Sequence, residues 1–298
     1  MEKTEKRVQD ETFKDWLFRY QHIYRLRRTK KQKQRFLSAL VTDIAEMRTD
    51  IQVIEYQQNK KYVSSNLYVG NVETADRILC TYYDTPPQGF GSYDLFDREK
   101  QKKSITGFIL VSSLLMLLVG GLLTMLYMNQ SGNTFDLFSI QTLFVILGYG
   151  LYFYLLGKVA KGLSVRKTLI RNTSSILALL ALIEENSDKK TAFAFVDEGC
   201  FGEIGLDVLK SSCKASAKIY SLDCVGAEPE LYLADRTKTP IKLEDTTQLG
   251  KQSEQINYIF SARAASSAAE TSYYLEQSDL KQKQLNSTNM RKLIQLFS

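Results

Sequence analysis

Side chains that commonly bind zinc or transfer protons at neutral pH are scarce in this sequence. Its 298 residues include one histidine, His22. Because histidine is the most common zinc ligand and the usual general base, any site that needs two histidines is excluded. The four cysteines, Cys80, Cys200, Cys213 and Cys224, form no CxxC pair, so neither a structural zinc site nor a disulfide framework is indicated. We expect separate, reduced thiols in a reducing compartment.

Other groups that could do chemistry follow short apolar runs typical of buried strands. Asp84 follows RILCTYY, Glu198 and Cys200 follow TAFAFV, and Asp223 follows AKIYSL. Because the carboxyl ends of parallel strands meet at one edge of a sheet, these side chains could converge on a rearranged metal site with Glu198 as the base. The alternative, which we favour, is structural: Asp84 caps a turn, Cys200 is buried, and Asp223 bonds to the backbone.

Motifs for nucleotide and serine hydrolase chemistry are absent from the sequence. It contains no GxxxxGK[ST] loop, no GxGxxG motif after a strand and no GxSxG elbow. The net charge of +6 is modest. With no nucleic-acid module in a chain that we expect to be tethered to a membrane, nucleic-acid binding is not indicated.

The elements that must position these residues alternate between helices and strands. Residues 35–47 form an amphipathic pattern, and Asn172 could cap an apolar helix through residues 176–183. Further helices are predicted at residues 204–211 and 289–297, and strands at residues 51–56, 65–69, 77–83, 191–196 and 217–222. Helices alternating with buried strands predict an α/β domain with a largely parallel or mixed sheet.

Two mid-chain segments predict a transmembrane hairpin that interrupts this domain. Residues 105–128 contain no charge over 24 residues, a helix of about 36 Å against a hydrocarbon core of about 30 Å. Residues 137–156 form the second apolar run and end in a tyrosine-rich belt. Glycines in the two runs, at positions 120, 121, 148 and 150, suit close helix contacts, either within the hairpin or with a partner helix.

The charges around the two spans predict their orientation. Nine Lys and Arg residues flank the outer ends of the hairpin, four in residues 98–103 and five in residues 158–171. The connecting segment, residues 129–136, has none. The positive-inside rule therefore places both termini in the cytoplasm and the hairpin tip outside, in a two-span protein of the cell membrane.

A basic segment precedes the predicted domain. Residues 25–35 contain seven Lys or Arg residues and follow an aromatic-rich stretch. Our preferred hypothesis is that this segment lies on anionic membrane lipid; the alternatives are a solvated helix face and a protein contact. The residues that we expect at the lipid surface are Trp16, Arg25, Arg27, Arg28, Lys30 and Lys31.

These features give four predicted regions. Residues 1–34 form the basic amphipathic segment, 35–104 the first half of the α/β domain, 105–157 the transmembrane hairpin and 158–298 the second half.

The order of the segments outside the hairpin resembles the M28 family of zinc-dependent aminopeptidases. The resemblance rests on RFLSALVTDIAEM, SSNLYVG, ADRILCTYYDTP, NTSSILALLALIEEN, TAFAFVDEGCFGEIG, IYSLDCVG and NSTNMRKLIQLF, in that order. It implies a mixed sheet sandwiched by helices, with two zinc ions at the carboxyl ends of the central strands.

The resemblance also implies that the zinc ligands of the family are mostly replaced here. The first histidine falls on Tyr82, the bridging aspartate on Arg171, a glutamate ligand on Cys200 and the closing histidine near Tyr274. Asp223 is the one ligand retained. A guanidinium at a shared ligand position would repel metal ions.

The general-base glutamate of the family falls on Gly199, next to Glu198. Asp84 and Asp223 are the residual ligands of any remaining metal site. We therefore predict a pseudo-peptidase without a cofactor that serves as a binding or accessory subunit of an integral membrane protein complex, such as a transporter or a peptide-export assembly. The alternative is an active membrane-bound zinc aminopeptidase with an atypical site.

Overall fold

The computed structural model describes residues 11–59, 62–130, 139–186, 188–200, 202–235, 239–251, 254–266 and 271–297. Its helices are α1 (Glu11–Phe18), α2 (Lys30–Ala45), α3 (Arg98–Gln130), α4 (Ile140–Ala160), α5 (Ser174–Glu185), α6 (Ile204–Ser212), α7 (Gln277–Leu280) and α8 (Ser287–Phe297). Short π-helical turns lie at Arg19–Ile23 and Leu169–Thr173, and a 3-10 turn lies at Thr246–Lys251. The strands are β1 (Ile51–Asn59), β2 (Tyr62–Val69), β3 (Arg77–Tyr82), β4 (Tyr93–Asp94), β5 (Thr191–Val196), β6 (Lys218–Asp223), β7 (Leu231–Asp235), β8 (Ile241–Lys242), β9 (Ile256–Ser261), β10 (Arg263–Ser266) and β11 (Thr271–Leu275).

Eight of the described strands form one mixed sheet, in the order β1-β2-β5-β3-β6-β9-β7-β8. The central strands β5, β3, β6 and β9 are parallel, and the flanking strands are antiparallel. A smaller antiparallel sheet has the order β10-β11-β4. The parallel centre brings the ends of β5, β3 and β6 to one edge of the large sheet.

Strand β5 shows why the large sheet is covered on both faces. All of its residues are buried. Phe193 and Phe195 pack in one apolar cluster with the leucines of α5, whereas Ala192 and Ala194 pack in another with Leu206 of α6. A strand that is apolar at every position therefore has a helix layer on each side, as expected for a buried parallel sheet. The predicted α/β fold with a mixed sheet between helices is confirmed.

The polypeptide divides into two compact units, which we describe separately. Unit 1 contains the sheets and takes in the described residues up to Pro86, residues 92–96 and those from Val165 onward. Unit 2 contains residues 87–91 and 97–164. The core of unit 1 includes Phe13, Trp16 and Tyr20 together with Phe36 of α2. The described part of the predicted N-terminal segment therefore belongs to the α/β domain.

Unit 2 consists mainly of the helical pair α3 and α4. Both helices are long and apolar enough to cross a membrane, and almost none of their most apolar stretch is buried. The predicted span 105–128 lies within α3, which begins earlier, at Arg98. Residues 140–156 of the second span lie within α4, which continues to Ala160, and Ser139 caps its N-terminus; residues 137 and 138 of that span lie outside the described residues.

Polar contacts hold α3 and α4 together. The Tyr152 hydroxyl donates to the carbonyl oxygen of Met116 at 3.0 Å, and the Thr124 and Tyr149 hydroxyls lie 2.5 Å apart. A Cβ atom added at Gly120 would lie 2.4 Å from the Tyr152 hydroxyl, so this glycine allows close packing within the pair. Added at positions 121, 148 or 150, a Cβ atom would meet no described atom within 4 Å.

The predicted helices and strands are found with small shifts at their ends, and one predicted cap is wrong. Asn172 lies inside the π-helical turn that precedes α5, and its Nδ2 donates to the carbonyl oxygen of Asp84 at 2.8 Å. It therefore ties this turn to the end of β3 and does not cap α5.

Candidate functional site

The candidate site lies where the central parallel strands end. Tyr82 ends β3, Asp223 ends β6, and Asp197 directly follows β5. Because these strands are neighbours in the sheet, their last residues lie at the edge where parallel α/β sheets usually bind ligands. Two groups of side chains occupy this edge.

The first group, which we call the tyrosine cluster, consists of Tyr82, Tyr93, Arg171, Asp223 and Cys224. Asp223 Oδ1 accepts hydrogen bonds from the Tyr82 hydroxyl at 3.0 Å and from the Cys224 thiol at 3.1 Å. Asp223 Oδ2 accepts from the Tyr93 hydroxyl at 2.6 Å. Asp223 therefore bonds to side chains, and the prediction that it bonds to the backbone is wrong.

The two tyrosines of this cluster are held in their protonated form. Burial is the main cause that raises the pKa of both Tyr82 and Tyr93, and the nearby negative charge of Asp223 raises it further. Their hydroxyl groups therefore remain donors, and the carboxylate of Asp223 is the acceptor.

Arg171 brings a positive charge to the tyrosine cluster. It lies in the π-helical turn Leu169–Thr173, whose Leu169, Ile170 and Asn172 are buried. The centre of its guanidinium group lies over the Tyr93 ring, 4.0 Å from the ring centroid, in a cation–π contact. Burial lowers the pKa of Arg171, but negative charge on its neighbours, that of Asp223 among them, outweighs this effect and raises the pKa overall, so the group remains cationic.

The second group, which we call the lysine cluster, consists of Lys33, Ser64, Asp84, Asp197 and Glu198. Lys33 Nζ lies 2.6 Å from Asp197 Oδ1 and 2.7 Å from Glu198 Oε1. The Ser64 hydroxyl also donates to Glu198 Oε1, at 3.1 Å. Burial lowers the pKa of Lys33, but Asp197 and Glu198 raise it overall. The cluster is therefore held by ion pairs to an ammonium group.

Asp84 connects the ends of β3 and β5. Its carboxylate accepts the backbone N–H groups of Gly199 at 2.9 Å and Cys200 at 3.2 Å. It thus binds the loop after β5. The prediction that Asp84 caps its own turn is therefore wrong. Burial and the charge of Asp197 raise the pKa of Asp84 to about 6.

The loop after β5 is shaped by close contact with Tyr82. Glu198 has a positive φ of 56°, in the left-handed region that is unusual for a residue other than glycine. At the next position, a Cβ atom on Gly199 would lie 2.2 Å from Tyr82 Cβ. Position 199, on which the sequence resemblance placed a general base, thus has no space for a side chain while Tyr82 and the loop keep these positions.

Some predicted site residues are brought together and others are not. Tyr82, Arg171 and Asp223 share the tyrosine cluster, whereas Glu198 belongs to the lysine cluster. Cys200 is buried, and its thiol donates to the carbonyl oxygen of Asp84 at 2.9 Å. Tyr274 pairs with Asp94 across β11 and β4, and Tyr93, which precedes Asp94, contributes the hydroxyl to Asp223.

Tyr93 and Lys33 are site residues that the sequence did not identify. Tyr93 lies between the predicted strand at 77–83 and the hairpin, where we predicted no element. Lys33 was included only in a basic run, yet it is the lysine that reaches Asp197 and Glu198. The predicted helix began at residue 35, so Lys33 lay outside it; the helical spacing from Lys33 to Phe36 and Leu37 is the signal that could have placed it on α2 near the core.

The residues predicted at a lipid surface separate into two sets. Trp16 is 4% exposed and Arg27 is fully buried, so the prediction is wrong for both. Arg27 donates from Nε to the carbonyl oxygen of Tyr83 at 2.7 Å, which secures the N-terminal segment against β3. The rest are half-buried or exposed: Arg25, Arg28, Lys30 and Lys31.

The tyrosine cluster does not fit a zinc ion. Each carboxylate oxygen of Asp223 already accepts a hydrogen bond from a neutral donor, and a fixed cation lies nearby. Within the described ranges, no group of three or more His, Cys, Asp or Glu residues is arranged to hold a metal ion. Zinc needs several convergent anionic or imidazole ligands, which this edge of the sheet does not present.

Two zinc-dependent or aminopeptidase structures are similar to this chain. A zinc-dependent exopeptidase from Parabacteroides distasonis matches with a TM-score of 0.50 and 9% identity, over 95% of this chain and 97% of that one. The LapA aminopeptidase of Legionella pneumophila matches with a TM-score of 0.48 and 11% identity, over 96% of this chain and 69% of that one. No family profile and no curated protein sequence matches. The first likeness supports a zinc-exopeptidase-like fold and nothing finer.

Proposed function

We propose that this chain is a membrane-anchored pseudo-peptidase, a zinc-exopeptidase-like domain that acts by binding as an accessory subunit of a membrane protein complex. The observation that carries the proposal is the bonding of Asp223. Its oxygens are taken by Tyr82, Tyr93 and Cys224, and Arg171 lies beside them. The carboxylate is thus satisfied by protein donors at the edge of the sheet where the related fold implies metal binding.

The chemistry of these groups supports a role without hydrolysis. A metallopeptidase needs a metal-bound water and a general base close to it. Phenols and a guanidinium are poor replacements for imidazole and carboxylate ligands. Glu198, next in sequence to the position on which the resemblance places the general base, is already paired with Lys33.

The membrane part of the proposal rests on α3 and α4. Their apolar side chains are exposed, including Leu114, Leu122, Phe144 and Leu151, which are each more than half exposed. In water such a surface would aggregate, whereas in lipid it is favourable. The basic flanks support cytoplasmic termini, and a second membrane protein could pack against the glycines at positions 121, 148 and 150.

Metal analysis together with a peptidase assay tests the central proposal. The full chain is purified in detergent without chelator, and its zinc content and hydrolysis of aminoacyl p-nitroanilides are measured. We expect substoichiometric zinc and no hydrolysis. Stoichiometric zinc and hydrolysis that are both lost in Asp223→Ala, but kept in the matched control Asp76→Ala at the other end of β3, would instead establish an active zinc aminopeptidase.

The topology is tested separately. An epitope tag at each terminus should become accessible to antibody only after the cells are permeabilised. Labelling of either tag in intact cells contradicts cytoplasmic termini.

The partner is tested by native gel electrophoresis of the tagged chain in mild detergent. We expect a complex larger than the chain alone, which Gly148→Leu disrupts and Leu147→Ile does not. A chain that migrates alone in every case contradicts the accessory role.

A further inference from the structure

Among the described residues, Arg171 is a cation whose guanidinium group has no hydrogen-bonding partner. Its Nε atom is buried and has no acceptor. In the part of the chain that the structure describes, its guanidinium group forms no hydrogen bond and no ion pair. Leaving buried, charged N–H donors unsatisfied is costly, typically more so than for neutral donors. A ligand that supplies acceptors would remove this cost.

Arg27 shows how the same domain accommodates an arginine that has only a structural role. Its Nε donates to Tyr83, its Nη1 to the carbonyl oxygen of Tyr24 at 3.2 Å, and its Nη2 to the Thr173 hydroxyl at 3.3 Å. Every nitrogen of this fully buried side chain has an acceptor. Arg171 lies only two residues before Thr173, and no described residue supplies an acceptor to its guanidinium group, so its environment differs from that of Arg27.

Asp223 is the carboxylate beside Arg171, but it does not complete the pair. Its oxygens accept hydrogen bonds from Tyr82, Tyr93 and Cys224, and it forms no ion pair with Arg171. One face of the guanidinium group is covered by the Tyr93 ring. The edge of a stacked guanidinium still offers parallel N–H donors, which match the two oxygens of a carboxylate.

An aromatic surface borders the tyrosine cluster. Phe96, three residues after Tyr93, is 46% exposed, and its ring meets Phe260 edge-on with centroids 5.1 Å apart. Phe260 pairs with Asp223 across β6 and β9. Tyr258 and Tyr273 also contact Phe96 edge-on. An exposed ring held by other rings is suited to contact an apolar group of a ligand.

We propose that Arg171 binds the carboxylate of a small molecule or of a peptide carboxyl terminus, and that Phe96 contacts the adjacent apolar side chain. This inference rests on the proposed noncatalytic function, and it names carboxylates as the class of ligand that the tyrosine cluster binds. The two sources of the carboxylate share the same chemistry, and the probes below separate them.

The full chain, purified in detergent and stripped of metal with chelator, is titrated by calorimetry. N-acetyl-phenylalanine represents a peptide terminus and phenylacetate a free carboxylate, whereas N-acetyl-phenylalaninamide has the same ring without the charge. We expect binding of at least one carboxylate and none of the amide.

Arg171→Gln should weaken binding by at least about 10-fold, as for a lost hydrogen bond to a charged group. The exposed control Arg166→Gln should leave it unchanged, and Phe96→Ala should weaken it by roughly 2- to 10-fold.

Several results would overturn the inference. These are equal binding of the acid and the amide, unchanged binding in a folded Arg171→Gln variant, or inorganic phosphate binding more tightly than either carboxylate. The acid-against-amide comparison uses the unaltered chain, so it remains decisive if Arg171→Gln does not fold. Metal-free, inactive protein that binds no probe overturns only this inference, whereas stoichiometric zinc with hydrolysis overturns the proposed function.

Discussion

The tyrosine cluster and the lysine cluster bury carboxylates at neighbouring strand ends in different ways. Asp223 is satisfied by neutral hydroxyl and thiol donors, whereas Asp197 and Glu198 share the ammonium group of Lys33. The lysine cluster thus has its cation in direct contact with two carboxylates. In the tyrosine cluster the cation, Arg171, has no acceptor among the residues that the structure describes. The difference suits a stabilising role for the lysine cluster, and it is the basis of our proposal that the tyrosine cluster binds a ligand.

Removing the cation of the lysine cluster should have the largest effect on stability. Asp197 is 1% exposed, so Lys33→Met would leave a buried carboxylate without its ion pair. We expect a loss of about 3–5 kcal/mol in the free energy of unfolding, measured by denaturant titration. The control is Lys30→Met, because Lys30 lies on the same helix and is exposed. Equal stability of the two variants would contradict the stabilising role of the lysine cluster.

The pH dependence of stability should depend on Asp84. Its pKa in the folded protein is raised from 3.8 to about 6, chiefly by burial. The folded state therefore holds a proton that the unfolded chain releases between these values. Stability should fall as the pH rises through that range, by about 3 kcal/mol, and then level off. The measurement is the free energy of unfolding at a series of pH values.

The control for this prediction compares two asparagine variants. Asp84→Asn should remove this share of the pH dependence, and a smaller remainder should persist because burial also raises the pKa of Asp197. Asp207→Asn, at an exposed aspartate, should leave the curve unchanged. A curve for Asp84→Asn that parallels the original would show that Asp84 does not titrate in this range.

At the edge where the central parallel strands end, the sequence predicted the strands better than the side-chain contacts. Apolar runs such as residues 191–196 are long enough and apolar enough to identify buried strands, and their order places Tyr82 and Asp223 at strand ends. It did not predict strands β7 and β9, whose patterns are interrupted by polar residues. The neighbours of a polar side chain depend on which distant segments fold against it. The contacts of Tyr93 and Lys33 therefore could not be predicted from the residues next to them in the sequence.

The same limitation explains the error at Trp16 and Arg27. A basic run after an aromatic stretch is typical of a membrane-surface helix, and nothing local distinguishes it from a segment packed on a domain. The acceptors that allow Arg27 to be buried come from Tyr83 and Thr173, far away in sequence. Burial of a charge is decided by such distant partners.

The loop after β5 has no space for a side chain at position 199. Gly199→Ala would place a Cβ atom 2.2 Å from Tyr82 Cβ, so the loop must move away from β3. We expect a loss of up to about 3 kcal/mol in the free energy of unfolding, as for overpacking in a dense core. At Gly202 an added Cβ would meet no described atom beyond its chain neighbours closer than 3.9 Å, and Gly202→Ala should therefore be close to neutral. Similar losses for both variants would mean that contact with Tyr82 does not limit this position.

The smallest expected effect tests how the hydroxyl groups share Asp223. Tyr82→Phe and Tyr93→Phe each remove one hydrogen bond to the carboxylate and keep the ring in place. Each should cost about 1.5 kcal/mol, the lower end for a bond to a charged group, because other donors remain. The double variant should cost more than the sum, since Cys224 is then the only one of the three donors left to Asp223. Strict additivity, measured by the same denaturant titrations, would mean that the two tyrosines do not act on one carboxylate, and the contrast with the lysine cluster would then fail.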